Sequence, residues 1–125
     1  MAEDLAQLEC VFRAVVLAAF ADGEPSSVEL KVVQDLLADY PEFAAQHDLR
    51  QFVVETYRLI KRLGPGGLLD EVAAGLRDRP HRELTYTLSS KVIAADGKTA
   101  SGEAQMLGEL QKRFGFTAAD VLLLM

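Results

Sequence analysis

The stretch Ala21-Asp22-Gly23-Glu24-Pro25-Ser26-Ser27-Val28-Glu29 occurs twice in this chain, the second time as Ala95-Asp96-Gly97-Lys98-Thr99-Ala100-Ser101-Gly102-Glu103. The register is constant: Ala21, Asp22, Gly23, Ser27 and Glu29 recur at Ala95, Asp96, Gly97, Ser101 and Glu103. Each copy follows an apolar run and precedes a helical pattern, so the repeated unit reads as helix, Asp-Gly turn, helix. Two such hairpins predict a pseudo-twofold arrangement around one core. Two copies do not make a solenoid.

Outward from the repeat, period-2 alternation is absent and helical spacing is everywhere. A first helix is expected from about Asp4 to Ala21, with Leu5, Leu8, Phe12, Val15, Val16 and Ala19 on one face. From Ala14 it is apolar all round, which predicts burial of its second half, and Gly23 is a natural C-cap. The second helix begins at Ser26, where Ser26 and Glu29 make an S-x-x-E capping box. It carries Val32, Val33, Leu36, Leu37 and Tyr40 and stops at Pro41. A short turn or helix through residues 42–45 leads to Asp48, a plausible N-cap. A third helix is expected from about Leu49 to Leu63, then a break at Gly64-Pro65-Gly66-Gly67, then a short helix from Leu68 to Leu76. Arg79-Pro80 opens the next helix, which runs to Ala95 and ends at Gly97. The last two run from about Ser101 to Phe114, closed by Gly115, and from Ala118 to Leu124, capped by Thr117. The fold class is all-α: a single domain, residues 1–125, of about seven helices.

The acids of the repeat are placed by helix geometry. At 100° per residue from Glu29, Val33 falls about 40° away, Leu36 about 20° and Tyr40 about 20°. Glu29 is therefore on the apolar side at the start of its helix, and Glu103 stands likewise to Leu107, Leu110 and Phe114. A desolvated carboxylate needs a partner. For Glu29 the partner can be local, through the capping box and the helix N-terminus. For Glu103 that answer is weaker, because Ala100 stands where the first copy has Ser26. Asp22 and Asp96 follow helix C-termini, where the macrodipole disfavours negative charge. Two readings stay open: a cation held by Asp22, Glu29, Asp96 and Glu103, with oxygen ligands favouring Ca²⁺ or Mg²⁺, or turns and caps satisfied without one. The spacing is not that of an EF-hand, since Gly follows directly on the Asp.

Composition bounds the function. The net charge of −6 argues against a general nucleic-acid binder, which needs clustered Lys and Arg. The charge is unevenly spread: residues 1–48 hold ten acidic and two basic residues, residues 49–82 seven basic and four acidic, which predicts surfaces of opposite sign. The helix bearing Arg50, Arg58, Lys61 and Arg62 has the composition to dock an acidic protein partner or, peripherally, an anionic membrane; a solvated face is the plainer reading. Cys10 is the single cysteine, which fits a reducing compartment. The apolar stretch Ala14 to Ala21 is too short to cross a bilayer, and the acidic opening residues lack the basic region of a signal peptide. A soluble cytoplasmic protein is expected. No nucleophile–base pair or cofactor loop is visible, and Gly64-Pro65-Gly66-Gly67 lacks the Lys-Ser or Lys-Thr of a phosphate loop, so no enzymatic activity is expected. His47 and His81 read as surface or loop residues, and Cys10 as a small apolar filler.

The phrase A-D-G-x-x-S-x-x-E, closing one helix, opening another and occurring twice, resembles that of the tellurite-resistance TerB-like domains. In the first copy Ser26 stands four residues after Asp22, and Glu29 seven; the second keeps Asp96, Gly97 and Glu103 but has Ala100 at the Ser position. The resemblance covers nearly the whole chain. It implies a seven-helix fold, a divalent-metal site at Asp22, Glu29, Asp96 and Glu103, and a bacterial cytoplasmic protein linked to tellurite resistance or envelope and chemical stress, working beside other proteins. It does not imply an enzymatic activity.

Overall fold

Helical periodicity in the sequence becomes helix in the structure. This is a computed structural model that describes residues 5–21, 25–95 and 101–124, without the side chains of residues 101 and 103. Among the described residues there are seven helices and no strand: α1 (Leu5–Phe20), α2 (Ser27–Ala38), α3 (Pro41–Gln46), α4 (Leu49–Gly75), α5 (Arg79–Ala94), α6 (Ser101–Phe114) and α7 (Ala118–Leu124). The expected all-α domain is the observed one.

α1 is the axis of the fold. Leu8, Val11, Phe12 and every residue from Ala14 to Ala19 are at most 4 % exposed, as an all-apolar half-helix requires. It packs chiefly on α5 and α4 and also meets α2 and α3. Phe12 joins an aromatic cluster, its ring 5.0 Å from Phe43 and 5.2 Å from Tyr40, with Phe52 5.3 Å from Phe43 on the far side. Burying each such side chain stabilises by about 1.5–3 kcal/mol.

Two joints differ from the sequence reading. α2 stops short of Pro41, and Tyr40 before the proline is already out of the helical region. That helix ends at Ala38, where the Asp39 N–H donates to Leu36 O, and Pro41 also opens α3, a first-turn position that needs no N–H. α3 exists to drive Phe43, fully buried, into the cluster. The break after Leu63 is a single residue, Gly64, at φ 74° and ψ 162°. A residue before proline avoids the helical region, and that backbone conformation is essentially open only to glycine. The helix resumes at Pro65, so α4 has two arms, residues 49–63 and 65–75.

Short-range signals fix the remaining ends. Asp48 accepts from the Gln51 N–H at 3.1 Å and Asp78 from the His81 N–H at 2.9 Å, capping α4 and α5. Thr117 and Asp120 cap α7 reciprocally, at 2.8 and 3.1 Å. Gly115, at φ 70°, closes α6 with Phe116 N–H donating to Gln111 O and its own N–H to Lys112 O, the Schellman pattern.

One long-range bridge sets the direction of the central pair. Gln7, 3 % exposed, donates from Nε2 to Asp78 Oδ2 at 2.9 Å, while its Oε1 accepts the N–H groups of Arg77 and Asp78 at 2.9 and 3.3 Å. The starts of α1 and α5 are thus tied together, and the two helices pack along each other from that end.

Candidate functional site

The flanks of the two repeats meet in one place. Leu17 and Ala21 from α1, Pro65 and Gly66 from the elbow of α4, and Gly102, Gln105 and Glu109 from α6 line one cleft of about 250 Å³. Of the four acids singled out in the sequence, Asp22 and Asp96 lie outside the described residues, as do Gly23, Gly97 and Ala100, and the side chain of Glu103 is likewise outside them. Glu29 is described. It is 7 % exposed, on the inward side of α2 as its angular position requires. Its N–H donates to Ser26 Oγ at 3.1 Å, and its Oε1 accepts the Ser26 N–H at 3.0 Å. The capping box is closed, and one oxygen of the candidate metal ligand already serves the helix start. Among the described residues no three His, Cys, Asp or Glu side chains come together as a metal site.

Two surface features lie away from this cleft. The first is a groove between α2 and the first arm of α4, about 480 Å³ in volume. α2 packs on α1, α3 and α5, leaving its junction with α4 open. Leu30, Val33, Leu37, Leu49, Val53 and Val54 make the groove apolar, and its charged lining residues are Lys31 and Arg50. Leu30 and Val54 remain 41 % and 37 % exposed. Neither lies on the stripe of its helix, so periodicity alone does not select them; an apolar residue off the stripe is the signal the sequence offers.

The second feature is a basic cleft of about 340 Å³ lined by Arg13, Glu55, Arg58, Leu59 and Arg62. Arg58 and Arg62 are one turn apart on the exposed side of α4, as the basic cast of that helix predicts. Arg13 comes from α1. It donates to Glu9 Oε1 at 2.8 Å and Thr56 Oγ1 at 3.2 Å and lies over the Phe52 ring at 5.0 Å. Lys61 sits over Tyr57 at 5.3 Å, which continues the positive surface along the helix. The guanidinium groups of Arg58 and Arg62, exposed at this cleft beside Glu55 and the Glu9-paired Arg13, suit a carboxylate or phosphate partner by charge and planar geometry.

His47 lies in the connection between α3 and α4, as read from the sequence, whereas His81 lies in the first turn of α5. His47 stacks on Phe43 at 4.1 Å, its Nδ1 3.1 Å from Phe43 O. His81 lies with Nδ1 2.6 Å from Asp78 Oδ1 and its side chain 16 % exposed. The N–H of His81, the Gln7 amide and the His81 ring together hold the Asp78 carboxyl down at about 2. Cys10 is half-buried against Gly75. Ser89 is fully buried in α5, and its Oγ has no hydrogen-bond partner among the described residues. No helix among the described residues is long and apolar enough to cross a membrane.

Comparison of the chain with protein-family models, with curated proteins and with solved structures finds no match.

Proposed function

We propose that this chain is a non-enzymatic, TerB-like domain of a bacterial stress response that acts in the cytoplasm by binding an acidic protein partner, with its Asp-Gly turns serving as capped helix joints. The observation that carries the reading is the closed Ser26–Glu29 box: the one acid of the repeat whose side chain is described has its partner within its own helix start. The partner is read from the basic cleft, where Arg58 and Arg62 stand exposed beside Arg13. Charge reversal there, Arg58→Glu with Arg62→Glu, abolishes partner binding in this reading and leaves the fold intact, because both side chains are at the surface.

A second reading is favoured by one observation, the shared cleft of Ala21 and Gly102, which brings the flanks of both turns to one place. In it Asp22, Glu29, Asp96 and Glu103 hold Ca²⁺ or Mg²⁺. Calorimetric titration with each ion decides between them. On the capping reading no heat of binding is seen and the unfolding midpoint is the same in Ca²⁺ and in chelator. A saturable signal that disappears in the Asp22→Asn, Asp96→Asn double variant replaces it with the metal reading.

A further inference from the structure

We propose that the groove between α2 and the first arm of α4 receives an amphipathic helix of a protein partner, with the partner's acidic residues lying along the α4 side. This rests on the protein-partner reading above and names the form in which that partner is presented. On α2 the groove follows Leu30, Val33 and Leu37, a run of about two turns or about 10 Å of helix. Its floor is buried, Val33 at 2 % and Leu37 at 1 %, while Leu30 and Val54 stay partly open to solvent. A third helix laid between two others meets both through its side-chain ridges.

The walls select a helix over other peptide forms. Among the described residues there is no strand, so an extended peptide finds no sheet edge for its backbone. Among them, too, no aromatic side chain lines the groove, whereas polyproline segments are held by aromatic walls. What fits is a segment that satisfies its own backbone hydrogen bonds and offers an apolar stripe.

Charge sets the sign and the side. At 100° per residue Arg50, Val54, Tyr57 and Lys61 fall within about 60° of one another, one row along α4. Arg50 lines the groove, and Lys61 lies over the exposed Tyr57 ring at 5.3 Å. Neither cation has a carboxylate at ion-pair distance among the described residues, nor do Arg58 and Arg62. Glu55, the one acid of this arm, accepts from Gln51 at 3.3 Å. In a chain of net charge −6, cations left unanswered along one arm are complementary to an acidic partner. The α2 side differs, because Lys31 is answered within its own helix by Asp35 at 3.1 Å. The acids of the incoming helix therefore lie towards α4.

The test is a titration of the isotope-labelled chain, read by amide chemical shifts, with three synthetic peptides of about 18 residues, long enough to form helix. The first carries leucines at i, i+3, i+4 and i+7 spacing with glutamates along one flank. The second has lysine for each glutamate. The third has the composition of the first, with its leucines spread round the helix. The expected result is saturable shifts on α2 and the first arm of α4 with the first peptide, and affinity at least about tenfold weaker for the other two. Leu30→Glu with Val54→Glu removes the binding, and Arg50→Glu with Lys61→Glu weakens it at least about fivefold at low salt. All four side chains are exposed, and circular dichroism confirms that each variant keeps its helices. If the third peptide binds as well as the first, and only Arg58→Glu with Arg62→Glu abolishes both, the groove proposal is overturned and the partner reading stands. Silence from both acidic peptides overturns the proposal and takes away the charge attraction behind the partner reading as well. Binding to phosphatidylglycerol vesicles in place of the peptides, lost in the Leu30→Glu, Val54→Glu variant, overturns it in favour of a lipid surface.

Discussion

Ser26 and Glu29 hold each other by two hydrogen bonds in opposite senses, N–H of Glu29 to Ser26 Oγ at 3.1 Å and N–H of Ser26 to Glu29 Oε1 at 3.0 Å. The pair satisfies two of the four N–H groups that a helix start leaves unbonded. Glu29 is nearly buried beside Val33 and Leu37, so its carboxylate has a structural occupation. Ser26→Ala removes one acceptor and the partner that orients the carboxylate. The expected cost is about 1 kcal/mol, read as a lower urea midpoint at unchanged slope. The same loss is expected in Ca²⁺ and in chelator.

Gly64 and Gly66 stand two residues apart and predict opposite outcomes. At φ 74° and ψ 162° Gly64 occupies a conformation that a Cβ strains, although no atom lies within 4 Å of where that Cβ would be. Gly64→Ala is expected to cost about 1–3 kcal/mol through the backbone alone. Gly66 is helical, with equally open surroundings, so Gly66→Ala is expected to be neutral or to stabilise by up to about 1 kcal/mol. Thermal unfolding of both variants checks this, and two equal losses would mean that the elbow is not set by the Gly64 backbone.

What was legible in the sequence is what neighbours in the chain decide. The burial of Ala14 to Ala19, the caps at Ser26, Asp48 and Thr117, the Gly115 stop and the inward turn of Glu29 all rest on contacts within about one helical turn. What was not legible depends on elements far apart meeting. Gln7 reads as one polar residue on an amphipathic helix; its role arises only when α5 is laid beside it. Arg13 reads as an isolated charge and becomes part of the basic cleft once α4 arrives. The α2–α4 groove is a gap between two helices, and no residue in either announces that they stay apart. Pro41 is ambiguous by nature, since the same ring that ends one helix suits the first turn of the next.

Asp78 makes acid stability predictable in sign. Its carboxyl is held at about 2 in the fold by the His81 N–H, then by Gln7 and the His81 ring, against roughly 3.9 in an unfolded chain. A group whose folded value is depressed stabilises above its unfolded value and loses that contribution as pH falls through the folded one. The loss therefore runs from about pH 4 down to about pH 2. Asp120, held low chiefly by the Thr117 N–H, loses its contribution in the same direction. Asp78→Asn keeps an Oδ acceptor for the α5 cap and removes one titrating group. Urea midpoints at about pH 5 and about pH 2.5, either side of most of that loss, are expected to differ less for this variant than for the unmodified chain, with the Asp120 part remaining. An unchanged difference would show that Asp78 does not carry the slope.

Cys10 and Gly75 are matched by contact. A Cβ placed on Gly75 would come 2.5 Å from Cys10 Sγ but 3.8 Å from Cys10 Cβ. The sulfur is therefore the whole obstacle, and it belongs to a short, half-buried side chain of α1. Gly75→Ala alone should cost about 1–3 kcal/mol as overpacking, more than the helix propensity that alanine supplies. Cys10→Ala alone should cost up to about 1 kcal/mol, the worth of a small half-buried group. In the double variant the methyl added at position 75 meets only a Cβ at ordinary contact distance and partly fills the space the sulfur left. The two losses should then fail to add by at least about 1 kcal/mol in the stabilising direction, beyond the scatter of independent sites. Equilibrium unfolding of the two single variants and the double closes the cycle; additive losses would mean that α1 and the second arm of α4 are not in contact at this point.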